Sequence, residues 1–220
     1  MNEGKSKGEI LKVKLSKDYP PEEGCYLRGN DFSPVAVVVM LNYAREQTPP
    51  EIEQLVRAAI EKGAALAGTL QTENIGIEKI VTNIVANPNI RYLVLCGTEV
   101  AGHNTGDALR CLLENGIDER RTIIGSNALT PYLFNIPIKS IKQFRKQLTL
   151  INLLNEMDPN AAANAVWSCY QEEPTKFQNY ILHDPGAYPQ PAICSNITWR
   201  IKKPQEIEDW EIDDILKNRR

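Results

Sequence analysis

From Val35 to Leu41 the chain runs through seven residues without one polar side chain. A stretch of that length falls far short of the roughly 18 apolar residues that a membrane-spanning helix needs. It is also too uniformly apolar to show one face to water. Four valines and an alanine within it fit a strand, Pro34 to Leu41, buried on both faces as in a parallel sheet. Parallel neighbours must be joined by crossovers, usually helices, so the flanking sequence has to supply amphipathic segments.

It does. Pro49-Pro50-Glu51 opens a helix with Ile52, Leu55, Val56, Ala59 and Ile60 on one stripe, and Gly63 ends it. Ala64 to Leu70 reads as a second strand. The helix after Thr72-Glu73-Asn74 carries Ile77, Ile80, Val81, Ile84 and Val85 and stops at Asn87-Pro88. A third strand, Ile90 to Leu95, is followed by a helix from Asn104 to Glu114 with Ala108, Leu109, Leu112 and Leu113 at helical spacing. Thr122 to Gly125 reads as a fourth strand and Ser140 to Glu156 as a long helix. The alternation predicts an α/β fold: a Rossmann-like parallel sheet with helices on both faces.

Around this domain (34–156) the pattern is different. Residues 1–33 are polar and turn-rich and read as an irregular arm. The extension 157–220 contains Pro174, Pro185, Pro189 and Pro191, one weakly alternating strand at Ile193 to Ile201, and a charged amphipathic helix from Glu206 to Arg220. That helix sets Ile207, Trp210, Ile212 and Ile215 against Glu206, Glu208, Asp209, Asp213 and Asp214, a face that repels anionic lipid headgroups.

Several function classes are disfavoured. A formal charge of −3 argues against nucleic-acid binding, which favours a basic face. The amino terminus has no apolar core of a secretion signal, so a cytoplasmic location without membrane insertion is expected, and the sequon Asn196-Ile197-Thr198 carries little weight. Five cysteines (Cys25, Cys96, Cys111, Cys169, Cys194) form no C-x-x-C pair and read as reduced thiols rather than zinc or iron–sulfur ligands. No G-x-G-x-x-G or Walker A pattern is present, and the two histidines do not assemble a hydrolase triad.

What remains is a rim. In an open α/β sheet, ligands bind at the carboxyl ends of the strands. Three loops meet there: Gly68-Thr69-Leu70-Gln71-Thr72-Glu73-Asn74, Gly97-Thr98-Glu99-Val100-Ala101-Gly102-His103, and Gly125-Ser126-Asn127-Ala128, with Pro131 just beyond. Glycines leave room, Thr, Ser, Asn and Gln offer neutral hydrogen bonds, and helix N-termini offer N–H groups to a phosphate. Such a rim suits a large cofactor carrying amides and a phosphate. Taken singly, Thr72 and Asn104 are equally read as helix caps and Ser126-Asn127 as a turn. His103 stands in the middle loop, whereas His183 lies at no such junction; an axial imidazole has one obvious place.

The runs Thr72-Glu73-Asn74-Ile75-Gly76-Ile77-Glu78-Lys79 and Cys96-Gly97-Thr98-Glu99-Val100-Ala101-Gly102-His103 resemble the A subunit of tetrahydromethanopterin S-methyltransferase. So do Asn87-Pro88-Asn89-Ile90-Arg91, Glu114-Asn115-Gly116-Ile117 and an earlier stretch with Pro20, Gly24, Tyr26, Gly29 and Asn30. The likeness covers about residues 19 to 155. It implies a corrinoid-carrying chain, binding cobalamin or 5-hydroxybenzimidazolylcobamide. Such a chain passes a methyl group from methyl-tetrahydromethanopterin to coenzyme M in methanogenesis, with donor and acceptor subunits as partners.

The same resemblance places the family's cobalt ligand on His103. Imidazole is a good donor to transition metals, and a partner on its second nitrogen would orient the ring; Glu99 is the neighbour in sequence. The carboxyl end departs from membrane-anchored members, and Tyr19 stands where tryptophan is common. A soluble paralogue that binds corrinoid and serves an analogous donor/acceptor pair is equally consistent, and a non-catalytic paralogue that keeps the scaffold as a binding or assembly module is the alternative.

Overall fold

The computed structural model describes residues 9–10, 13–42, 48–169, 175–177, 180–182 and 198–200. In chain order the elements are β1 (Glu9–Ile10), β2 (Tyr26–Arg28), β3 (Val35–Met40), α1 (Pro50–Glu61), β4 (Leu66–Leu70), α2 (Ile75–Val85) and β5 (Tyr92–Gly97). There follow α3 (Thr105–Asn115), α4 (Ile138–Gln147), β6 (Thr149–Leu154), α5 (Pro159–Ser168), β7 (Thr175–Phe177), β8 (Tyr180–Leu182) and β9 (Thr198–Arg200). The main sheet has the order β6-β5-β3-β4-β2-β9, and β1, β8 and β7 form a separate small sheet.

The expected parallel core is present. β3 lies between β4 and β5, parallel to both, and β6 extends the parallel set beyond β5. Alternation along β3 feeds two cores. Ala36, Val38 and Met40 join Leu93 and Leu95 under α2, α3 and α4. Val35, Val37, Val39 and Leu41 join Val94 and Cys96 under α1 and α5. Both faces of the central strand are therefore dry, which is why it could dispense with polar residues.

Three expectations are corrected. Thr122–Gly125 is not a sheet strand: Ile123 bridges Ile117 and Thr122 bridges Tyr132 inside a long excursion between α3 and α4. The helix expected over Ser140–Glu156 is α4 followed by strand β6. Leu148 is already extended (φ −110°, ψ 142°), and the apolar residues 148–154 fit either period over so short a run. The arm is not irregular throughout, because β2 pairs antiparallel with β4 and Tyr19 is buried.

Beyond Asn160 the chain still contributes to the core, through Ala162 and Val166 of α5 and Cys169 just after it. Within the strand expected at Ile193–Ile201, Thr198–Arg200 pairs antiparallel with β2. His183, Cys194, most of the sequon and the helix expected from Glu206 lie outside the described residues. Among the described residues no helix is long and apolar enough to cross a membrane.

Candidate functional site

The site forms at the carboxyl ends of β4 and β5. Gly97 closes β5 at φ +90°, and a Cβ there would sit 2.8 Å from the Met40 backbone nitrogen, so glycine is needed for both reasons. Thr98 is exposed. The loop then turns at Gly102 (φ +80°), where an added Cβ would meet nothing within 4 Å. His103 follows with a side chain 54% exposed, so the imidazole stands in the open.

Its anchor comes from another loop. Glu73, only 2% exposed, places Oε2 3.1 Å from His103 Nδ1. The other oxygen, Oε1, accepts from both the backbone N–H (3.0 Å) and the hydroxyl (2.8 Å) of Thr130. Burial pushes the Glu73 carboxyl up, but hydrogen bonds from its own backbone N–H, from Thr130 and from His103 outweigh it and hold the group below the ordinary carboxylate value. A buried carboxylate thus grips one ring nitrogen of an exposed imidazole. Nε2 has no hydrogen-bond partner among the described residues.

Glu99, the neighbour in sequence, is not that anchor. Its Oε1 accepts from the backbone N–H groups of Val100 (2.7 Å) and Gly106 (2.9 Å), and its Oε2 from Asp107 (2.8 Å). It caps α3, a task that Asn104 leaves open by adopting φ 50° and turning its amide to the Asn127 carbonyl. At α2, Thr72 Oγ1 accepts from Gly76 and Asn74 Oδ1 from Ile75. The helix N–H groups expected to meet a phosphate are therefore largely taken by these side chains.

The third loop closes on the start of α3. Asn127 N–H donates to Asp107 Oδ2 at 2.9 Å, and Ala128 N–H to Ser126 Oγ at 3.1 Å, a local turn. Burial raises the Asp107 carboxyl, but the Asn127 and Arg110 hydrogen bonds hold it lower. Gly125 needs its glycine for φ +80°, and Pro131, buried, lends its carbonyl to Ile123.

Gly68, Thr69, Gln71 and Thr72 line a cleft that His103 does not line, between α2 with its Lys79 and the arm at Cys25. A Cβ on Gly68 would sit 2.6 Å from that of Tyr26, so close packing of β2 explains this glycine. Sequence reasoning named Glu73 without its role and missed Thr130. Thr130 is 57 residues from Glu73, and no local spacing announces the pair.

The family described as the A subunit of tetrahydromethanopterin S-methyltransferase matches residues 12–198. The chain belongs to that family. It is 37% identical to the tetrahydromethanopterin S-methyltransferase A subunit of Methanosphaera stadtmanae over 205 residues, 93% of this chain and 72% of the relative. Methanothermobacter thermautotrophicus has two relatives of this kind. With the first of its A subunits the chain shares 40% identity over 170 residues, 77% of this chain and 67% of the relative. The second is 37% identical over 189 residues, covering 86% of this chain and 91% of the relative. By family, the protein is a component of a methyltransferase complex.

Proposed function

We propose that the chain holds a cobamide at this rim, where Nε2 of His103 would ligate its cobalt, and that it carries a methyl group between partner subunits. The observation behind the reading is the ring with one nitrogen bound to a buried carboxylate and the other open. Metal-binding histidines commonly donate their second N–H to such a group, which fixes tautomer and orientation and makes the ligand more basic. Among the described residues no three His, Cys, Asp or Glu side chains cluster, so the site suits a metal that brings most of its ligands with it.

The residues present fit such a group. Open space around Gly102 leaves the loop unobstructed beside His103. Thr98, Asn127 and Ser126 carry polar groups for peripheral amides, and Gly68, Thr69, Gln71 and Thr72 line a neighbouring cleft. A bound cobamide supplies cobalt chemistry that accepts and releases a methyl group. The chain's part is to present Nε2 and to orient the ring through the Nδ1–H···Glu73 hydrogen bond. Thr130 holds Glu73 in place.

The family name fits methyl-tetrahydromethanopterin as donor and a thiol as acceptor, which we take to be coenzyme M or an analogous compound, each brought by a partner subunit in the cytoplasm. Adding hydroxocobalamin to the folded protein, desalting, and recording the visible spectrum tests the reading. A retained red chromophore whose bands shift in His103→Ala is the expected result. Folded protein that retains none overturns the carrier reading and favours the scaffold paralogue.

A further inference from the structure

β6 (Thr149–Leu154) ends the main sheet, and among the described residues no strand pairs with its outer edge. None of its six residues is buried, whereas all six of β3 are. The bonds at its two ends settle which backbone groups face outward. Thr149 N–H donates to the Arg91 carbonyl at 2.8 Å, and Asn155 N–H to that of Gly97 at 2.9 Å. Alternation along the strand therefore turns residues 149, 151 and 153 toward β5, and Leu150, Asn152 and Leu154 away from it. The outward N–H of Leu154 meets only Asn152 Oδ1, at 3.1 Å in an exposed place.

Native sheets commonly blunt such an edge with a charge or a proline. From Thr149 to Leu154 there is neither. Leu150 and Leu154 pack on one core and Ile151 and Leu153 on the other, each only half-buried, so apolar surface is left on both sides of the strand. An edge of this kind recognises another extended strand through its backbone. The flanking charges indicate which strand. Exposed Lys146 precedes β6, at the end of a helix with no acid, and exposed Glu156 and Asp158 follow it. The complement is an antiparallel strand with acid where β6 has base. A second β6, turned about a two-fold axis, has that order.

We infer that two copies of the chain join through β6, antiparallel across a two-fold axis at Asn152. Only this register sets all three outward residues opposite one another, Asn152 against its own counterpart and Leu150 against Leu154 of the second copy. It also brings Lys146 toward Glu156 and Asp158. The parallel strands of the two copies then point in opposite directions, so the two His103 rims lie at opposite ends and stay open to partner subunits. The inference does not rest on the cobamide reading, and its test needs no cofactor.

Sedimentation equilibrium and amide hydrogen exchange on the full-length protein provide that test. The wild type should be a reversible dimer, and exchange at 150–154 should slow as protein concentration rises. Asn152→Pro removes an outward N–H from both copies and no bond to β5, a position where an edge strand tolerates proline. It should weaken dimerisation at least about tenfold. Asn152→Thr, which keeps the N–H, should leave the dimer intact. Lys146→Glu should weaken it by a smaller factor, and Lys146→Arg should not. A wild type that stays monomeric overturns the inference and leaves the edge to a strand of another protein. A dimer indifferent to Asn152→Pro also overturns it, placing the contact elsewhere; should that variant not fold, a dimer indifferent to Lys146→Glu does the same. Protection at 150–154 that does not change with concentration overturns it as well, assigning the edge to another segment of the same chain.

Discussion

The two ends of the parallel strands are both lined with polar side chains, yet they serve different purposes. Where β3, β5 and β6 begin, Asp31, Asn87, Asn89 and Gln147 are buried and turned inward. Asn87 Nδ2 donates to the Asp31 carbonyl at 3.0 Å, and Asn89 both donates to and accepts from the Val13 backbone. Gln147 Nε2 lies within 3.2 Å of the carbonyls of Ile84, Asn87 and Ile90. Where β4 and β5 end, an equally buried Glu73 directs one oxygen at an exposed imidazole. One rim closes the backbone on itself; the other leaves an imidazole facing out. Polarity alone does not mark a functional site; an unfilled donor or acceptor on a rigid support does.

The sharpest test of that contrast is Gln147→Ala. It strands carbonyl groups in a buried place and leaves a cavity, and should cost about 3 kcal/mol in urea unfolding. Cobamide binding, measured on the same sample, should be unchanged. A loss below about 1 kcal/mol would mean that the strand-start rim is not the structural one.

Second in size is Glu73→Ala, at about 2 kcal/mol, because the N–H and hydroxyl of Thr130 lose their acceptor. The pH dependence sharpens this. Glu73 titrates below its ordinary value of 4.5 in the folded chain, so its contribution is fully present above that pH. It is lost as pH falls through the lower, folded value. Glu73→Gln should therefore flatten part of the acid limb of stability against pH, and an unchanged limb would place the acid sensitivity elsewhere.

Much of the frame could be read directly. The dry strand β3, the stripes of α1, α2 and α3, and the glycines at 97 and 102 follow from local periodicity and turn chemistry. Failures arose where tertiary contact decides. Residues 148–154 look like more of α4 until Thr149 pairs with Tyr92. Glu99 lies near His103 in sequence but turns back to cap α3, whereas Glu73 arrives from 30 residues away. In the second case the missing information was which of two strand-end loops the polar group faces.

A third test probes the loop itself. Gly102 takes φ +80° with free space around it, so Gly102→Ala meets strain but no clash. About 1 kcal/mol is expected, measured by thermal unfolding, as for a residue forced into the left-handed region. A much larger cost would reveal packing that the open geometry does not show.

His103→Ala should have the smallest effect on stability and the largest on ligand chemistry. The ring is 54% exposed, and its one hydrogen bond goes to a carboxylate that Thr130 continues to hold. Removing it should shift unfolding by less than about 1 kcal/mol, the range of surface changes without buried consequences. Gln147→Ala and His103→Ala then form a crossed pair, one losing stability and keeping the cobamide spectrum, the other the reverse. If His103→Ala instead destabilised the fold as much as Glu73→Ala, the imidazole would be a partner that Glu73 requires. The open nitrogen would then be incidental, and the two rims would be structural alike.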